Sequence, residues 1–272
     1  MSKLNARFFY FLRVVCPLCL GSLAMFGEVH AQGFTAAISP PRFELAIKPG
    51  ERVRQVIEIT NPNHQSTRFR IKTADWQLDP EGGLAFFDEL QPGSCRPWVA
   101  IEGRDVTVSA SGKYRYRFEI GAPASATIGE CRFALLIEGD DQQVAAGSLS
   151  FPVTGRIGVI VYASIGEAVP QLEVIATKLR TINGVTLPYV DVKNSGKAHG
   201  RISGFLSGTD ASGKKLDFDP ATLPILPGES RGIALTPSNG RDEPIKVAYP
   251  VTIRGTLEWG DKSLPFEQRF AP

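Results

Sequence analysis

Few residues in this 272-residue sequence have the makings of a catalytic centre. Histidine is the side chain best suited to proton transfer near neutrality, and it occurs only at His30, His64 and His199. His64 follows Asn61-Pro62-Asn63 and His199 follows Asn194-Ser195-Gly196-Lys197, so both read as exposed loop residues. One Gly-x-Ser-x-Gly match is present, Gly228-Glu229-Ser230-Arg231-Gly232. A hydrolase would place Ser230 on a strand-to-helix elbow with its histidine downstream. Here Ile233-Ala234-Leu235 reads as a strand and every histidine precedes Ser230, so the motif reads as a turn entering a strand. Gly208-Thr209-Asp210-Ala211-Ser212-Gly213-Lys214-Lys215 approaches a phosphate loop but lacks the Ser or Thr that would hold magnesium, and it reads as a hairpin turn. Glu138-Gly139-Asp140-Asp141 is acidic, but calcium needs more oxygen ligands at closer spacing, so a hairpin tip is expected. No enzyme activity, catalytic residue, metal site or cofactor is predicted.

The N-terminus changes the charge balance. Lys3 and Arg7 precede a largely apolar stretch, Phe8 to Phe26, and Val29-His30-Ala31 offers a small-x-small processing site. That pattern predicts a secretory signal over residues 1–31. Arg13 interrupts the apolar run, which disfavours a permanent membrane span, so the mature chain is expected to be free of the membrane. Without Lys3, Arg7, Arg13 and Glu28, the 30 basic and 28 acidic side chains fall to 27 of each. A neutral mature chain lacks the concentrated positive surface that a nucleic-acid partner requires. Cys16 and Cys19 leave with the signal, while Cys95 and Cys131 remain. In an oxidising compartment these two predict one disulfide, the alternative being two buried thiols.

The elements that must position any binding residue are strands. Tyr114-Arg-Tyr-Arg-Phe-Glu-Ile alternates with period two, as one-face-in, one-face-out strands do. Val53 to Thr60 alternates in part, and Cys131 to Glu138 is apolar enough for burial on both faces. Residues 168–181 are ambiguous, and Leu172, Val174 and Ala176 favour a strand. Short strands punctuated by turns predict an all-β fold of two sandwiches. The boundary is expected near Ala163–Pro170, giving domains at 32–165 and 166–272. The halves echo each other: Ile57-Glu-Ile-Thr-Asn-Pro-Asn against Val190-Asp-Val-Lys-Asn-Ser-Gly, and Lys48-Pro-Gly-Glu against Leu226-Pro-Gly-Glu.

Four segments together carry a resemblance: Ile38-Ser-Pro-Pro-Arg-Phe-Glu-Leu, Trp98 after Cys95-Arg-Pro, Gly129-Glu-Cys-Arg-Phe-Ala-Leu-Leu-Ile, and Ser148 to Tyr162. In order and spacing they resemble the PapD-like periplasmic chaperones of chaperone–usher pilus assembly. The resemblance implies two immunoglobulin-like β-sandwich domains set at an angle around a cleft, in the periplasm. It also implies that pilus or fimbrial subunits and an outer-membrane usher are partners. Such a chaperone lends an edge strand to a subunit that lacks its own last strand. On this reading the donor strand falls on residues 147–162, with Leu149, Phe151 and Val153 pointing one way. Pro152, which has no N–H to give a ladder, marks an edge. The family anchors the subunit's terminal carboxylate with two basic residues. Arg42 resembles the first and Arg156 is the candidate for the second, where the family often has Lys. A homodimer that caps its own donor edge is a further partner the resemblance allows. The competing reading is a secreted immunoglobulin-like structural or adhesive surface protein, against which stand two complete strand sets and a basic residue on the first strand.

Overall fold

Period-two patterning decides the architecture. The computed structural model describes residues 35–140, 142–146, 149–238 and 245–272. The expected signal, residues 1–31, lies outside the described residues, as do Gly147 and Ser148 of the expected donor stretch. In β8 (Lys113–Gly121) Tyr116, Phe118 and Ile120 are buried while Lys113, Arg115 and Arg117 are exposed. In β9 (Gly129–Gly139) both faces are buried: Cys131, Phe133, Leu135 and Ile137 enter one apolar cluster and Ala134 and Leu136 another.

The first sandwich has two layers. One runs β1 (Ala37–Ser39), β3 (Arg52–Thr60), β8, β6 (Val99–Ile101) in that spatial order. The other runs β2 (Arg42–Ile47), β12 (Arg156–Ile165), β9, β4 (Thr67–Leu78), β5 (Leu84–Phe87), with β7 (Asp105–Val108) also on β4. The chain changes layer between β1 and β2 at Pro40-Pro41, two residues with no N–H for a ladder. β2 then pairs in parallel with β12, Arg42 opposite Ile160 and Glu44 opposite Tyr162. Between the layers Phe118 meets Phe43 and Phe133 edge-on, at centroid distances of 5.2 and 6.2 Å. Cys95 and Cys131 form the expected disulfide within this core.

The second sandwich is built from β13 (Leu172–Ile182), β14 (Val185–Asn194), β15 (Ser203–Thr209), β16 (Lys215–Pro220), β17 (Ser230–Ser238), β18 (Val251–Trp259) and β19 (Lys262–Phe270). Their order is β13-β14-β17-β16-β15-β18-β19. β17 pairs with β14 over Ser230–Ala234 and with β16 over Leu235–Ser238, so one strand serves both layers. The fold is therefore all-β, two immunoglobulin-like sandwiches. The stretch that was ambiguous in sequence is strand β13.

The echo between the halves is physical. Asn61 and Asn194 are each fully buried at a strand end. In both, the side-chain oxygen accepts from the backbone N–H two residues on, Asn63 at 3.0 Å and Gly196 at 2.9 Å. In both, the amide donates to the carbonyl four residues on, Gln65 and Ala198, each at 2.8 Å. Each amide also reaches across to another segment, Val108 and Ser109 in one half and Ile225 in the other. The Pro-Gly-Glu turns match too: Glu51 accepts from the Lys48 N–H at 2.8 Å and Glu229 from the Leu226 N–H at 2.9 Å. Gly50 and Gly228, at φ +81° and +77°, supply the left-handed residue each turn requires.

Two expectations change along the hairpin after β9. The expected single strand across 147–162 is divided at Thr154–Gly155 into β11 (Leu149–Val153) and β12. The acidic residues Glu138 to Asp140 do not form a tip, because the chain continues into β10 (Gln142–Ala146), and Asp141 lies outside the described residues. Glycine is the reason on both sides. Gly139 donates its N–H to the Gly155 carbonyl at 3.1 Å, closing the β9–β12 ladder where neither side chain can support it. Beyond that point β10 and β11 continue as a separate two-stranded ladder, Val144 opposite Phe151 and Gln142 opposite Val153.

Candidate functional site

The arm formed by β10 and β11 is the first part of the site. Among the described residues its strands pair only with each other, so β11 has one side without a partner strand. Phe151 and Val153, two residues apart and hence on one face, are 48% and 49% exposed, high values for large apolar side chains. Leu149 occupies the same register two residues earlier, and its side chain lies outside the described residues. Pro152 sits opposite Gln143. It has no N–H to give on the far side, as an edge residue should not.

The second part lies where the two sandwiches meet. The outward face of the β2–β12–β9–β4 layer is apolar and aromatic: Ala74, Trp76, Ala134, Leu136, Ile160 and Tyr162 cluster there, with Leu226 of the second sandwich against them. Trp76 donates its ring N–H to the Phe133 carbonyl at 3.1 Å and meets Tyr162 edge-on at 5.3 Å. Burial pushes the Tyr162 hydroxyl up to about 12. His199 stacks on the Tyr162 ring at 3.8 Å.

His199 corrects an expectation, for its side chain is only 8% exposed. Tyr162 covers one face, and the nearly inaccessible Glu130 carboxylate takes both the His199 backbone N–H at 2.9 Å and ring Nδ1 at 2.5 Å. Arg201 Nη1 lies 2.8 Å from His199 Nε2. His64, by contrast, is exposed as expected.

Arg42 and Glu44 stand on this same outward face at the mouth of the junction. Glu44 Oε1 is 2.8 Å from Arg42 Nε, 2.6 Å from Arg201 Nη1 and 3.5 Å from His199 Nε2. Partial burial acts to raise the Glu44 carboxyl, but Arg201, His199 and Arg42 outweigh it and hold it below the usual carboxylate value. Arg156 shares the face but lies four residues before Ile160, roughly 13 Å along the strand. It contacts Glu138 at 3.8 Å and lies over the Phe86 ring at 5.6 Å. Phe86 covers Gly158, where an added Cβ would meet the ring at 2.4 Å. The structure thus brings Arg42 together with Glu44, Arg201 and His199, and places Arg156 with a different set.

Sequence reading missed Glu44, Tyr162, His199 and Arg201 as a group. A partial signal existed. Glu44 lies within the Ile38–Leu45 segment, two residues after Arg42, and His199-Gly-Arg201 follows directly on the Asn194 turn.

The serine motif has a structural task. Ser230 is exposed where β17 leaves the Pro-Gly turn, and Arg231 is buried. Arg231 donates to the carbonyls of Asp79 and Pro80 at 2.7 and 3.2 Å and pairs with Glu229, tying the β4–β5 turn to the second sandwich. Among the described residues no group of three or more His, Cys, Asp or Glu could hold a metal ion, and no helix is long and apolar enough to cross a membrane.

No protein-family model matches the chain, and a search of curated proteins found no match. Solved structures are similar in backbone. A chaperone–tip adhesin complex of CFA/I fimbriae biogenesis shares 11% identity over 88% of this chain and 100% of that one, at a TM-score of 0.48. The CsuC–CsuE chaperone–tip adhesion subunit complex of archaic Csu pili from Acinetobacter baumannii shares 14% identity over 88% and 99%, at 0.45. The CupB2 chaperone of Pseudomonas aeruginosa shares 10% over 84% and 97%, at 0.41.

Proposed function

We propose that this chain is a periplasmic chaperone that holds pilus or fimbrial subunits by lending them strand β11, then passes them to an outer-membrane usher. The observation that carries the reading is the arm: a short ladder with one unpaired side and an exposed Phe151–Val153 face. An unpaired edge beside alternating apolar side chains is what strand addition requires, backbone bonds supplying affinity and alternate side chains supplying fit. The sequence resemblance in the Ile38–Leu45, Gly129–Ile137 and Ser148–Tyr162 segments points the same way. The residues assigned are Leu149, Phe151 and Val153 for the donor strand. Arg42 is assigned to the subunit's terminal carboxylate, with Arg156 further along the same face as the second basic candidate. Residues 1–31 would be removed on export, leaving domains over 32–165 and 166–272.

Co-expression with a cognate fimbrial subunit tests the proposal. A soluble one-to-one complex is expected in periplasmic extracts. Recovery of the subunit only as aggregate or degraded chain, whether or not this protein is present, would refute it.

A further inference from the structure

The outward face of the second sandwich carries a feature that strand donation does not use. In β15, β16, β17 and β18 the inward side chains include Leu206, Phe218, Leu235 and Ile253, all buried in one cluster. The alternate residues face out and line up across the strands. One row runs Ser238, Asp217, Ser207, Arg254, Glu267 from β17 to β19. The next sets Lys215 opposite Thr209 and Thr209 opposite Thr252. Side chains of these two rows line a cavity of about 700 Å³, within the roughly 300–1,000 Å³ of small-molecule sites. On the other side of the first row, Phe205 stands opposite Thr256, which stands opposite Pro265.

Phe205 is 84% exposed, the highest value for a large apolar side chain among the described residues. Its ring forgoes the burial that stabilises an aromatic side chain. The backbone beneath it is unusual. Gly204 and Gly255 lie diagonally on either side of the Phe205–Thr256 pair, with φ of +150° and +151°. A Cβ on Gly204 would fall 2.1 Å from the Thr256 carbonyl oxygen, and one on Gly255 would fall 2.0 Å from that of Phe205. The two strands close on each other here only because both positions are glycine. That pinch fixes the backbone that holds the ring out.

The chemistry of the face selects its occupant. Lys215 and Arg254 are balanced by Asp217 and Glu267, and Glu267 pairs with Arg254 at 2.9 Å, so no net charge draws an anion. β15 and β16 are each paired on both sides, so neither offers an edge to an added strand. The cavity presents a carboxylate acceptor, a guanidinium donor and the hydroxyls of Ser207, Thr209, Ser238 and Thr252, which both accept and donate. Roughly 7 Å along β15 from Ser207 lies the open Phe205 ring, whose face is electron-rich. A pyranose matches both halves, with hydroxyls around its rim and C–H groups on its face. We propose that this surface binds a neutral glycan chain, one sugar lying on Phe205 and the next held in the cavity by Asp217 and Arg254. The site is separate from β11 and does not depend on the strand-donation reading.

Three uncharged tetrasaccharides are the probes: cellotetraose, maltotetraose and tetra-N-acetylchitotetraose. Each is titrated into the full mature chain while backbone amide NMR spectra are recorded. At least one should shift the Ser207, Asp217 and Thr252 amides saturably and leave the first sandwich unchanged. Phe205→Ala and Asp217→Asn should each weaken that binding at least about tenfold, the worth of one stacked ring or one charge-assisted contact. Both side chains are exposed, so the urea midpoints of the variants should match wild type. The proposal is overturned if none of the three sugars shifts these amides, if the shifts fall elsewhere, or if either variant binds as wild type does. Tighter binding of a sulfated tetrasaccharide than of its uncharged counterpart also overturns it, because the surface would then be an anion site.

Discussion

Asn194→Ala tests how the loop bearing His199 and Arg201 is held. The side-chain oxygen of Asn194 accepts from the Gln171 and Gly196 N–H groups at 3.1 and 2.9 Å, and its amide donates to the Ala198 and Ile225 carbonyls at 2.8 Å each. The Ile225 carbonyl keeps a second donor, the Gly200 N–H at 3.1 Å. Alanine therefore strands three groups: two N–H and the Ala198 carbonyl. At about 1 kcal/mol each, the low end for groups partly reachable by water, the loss is about 3 kcal/mol. With a urea slope of about 2–3 kcal/mol/M, the midpoint should fall by about 1–1.5 M. Asn194→Asp should cost at least as much, because it keeps the acceptor but sets a charged oxygen against two carbonyls. Equilibrium urea unfolding followed by tryptophan fluorescence reads both. A loss below about 0.5 kcal/mol for Asn194→Ala, the level of an ordinary surface change, would refute the assignment of Asn194 as the organiser of this loop.

Three further outcomes are expected. Phe151→Asp should leave the free protein's unfolding curve unchanged, because Phe151 is half exposed, and should weaken subunit capture at least about tenfold, which a pull-down titration would read. Replacing Cys95 and Cys131 together with Ala should cost about 4 kcal/mol for a 36-residue separation in the chain-entropy model, seen as a lower urea midpoint that matches the reduced wild type. Asp210 is held at about 2, chiefly by the Ser212 hydroxyl at 2.6 Å, which burial opposes next in size and the backbone N–H groups of Ala248, Lys214 and Ser212 reinforce. Its folded value is depressed, so its contribution is complete above about pH 4 and is lost as pH falls toward 2. The stability gap between wild type and Asp210→Asn should therefore be constant from pH 5 to 7 and close between 4 and 2 in pH-resolved urea titrations.

Much of the fold was legible because strands and turns write themselves locally. Tyr114 to Ile120 alternates in sequence and in burial, and the paired Asn and Pro-Gly-Glu segments form the same hydrogen-bonded turns in both halves. The break between β11 and β12 was less visible, since Gly139 and Gly155 act only by facing each other across the hairpin. The junction cluster was not legible. Glu44, Tyr162 and Glu130 come from three neighbouring strands of one sheet and meet His199 and Arg201 only through the packing of the two sandwiches, and no local period links them. His199 follows a turn signal and so looked exposed, but burial there comes from Tyr162 and Glu130, both distant in sequence. Arg156 shares the outward face with Arg42, and its partners Glu138 and Phe86 could not be read from its neighbours.

Strand donation by β11 is tested most directly by amide hydrogen exchange of the Ser150 N–H, which shares the outward side of the strand with Pro152, free and with a bound subunit. The account predicts that this outward-facing amide exchanges fast in the free chain and becomes at least about a hundredfold slower in the complex, as ladder formation requires. A stable complex in which this amide exchanges unchanged, with protection arising elsewhere, would contradict it.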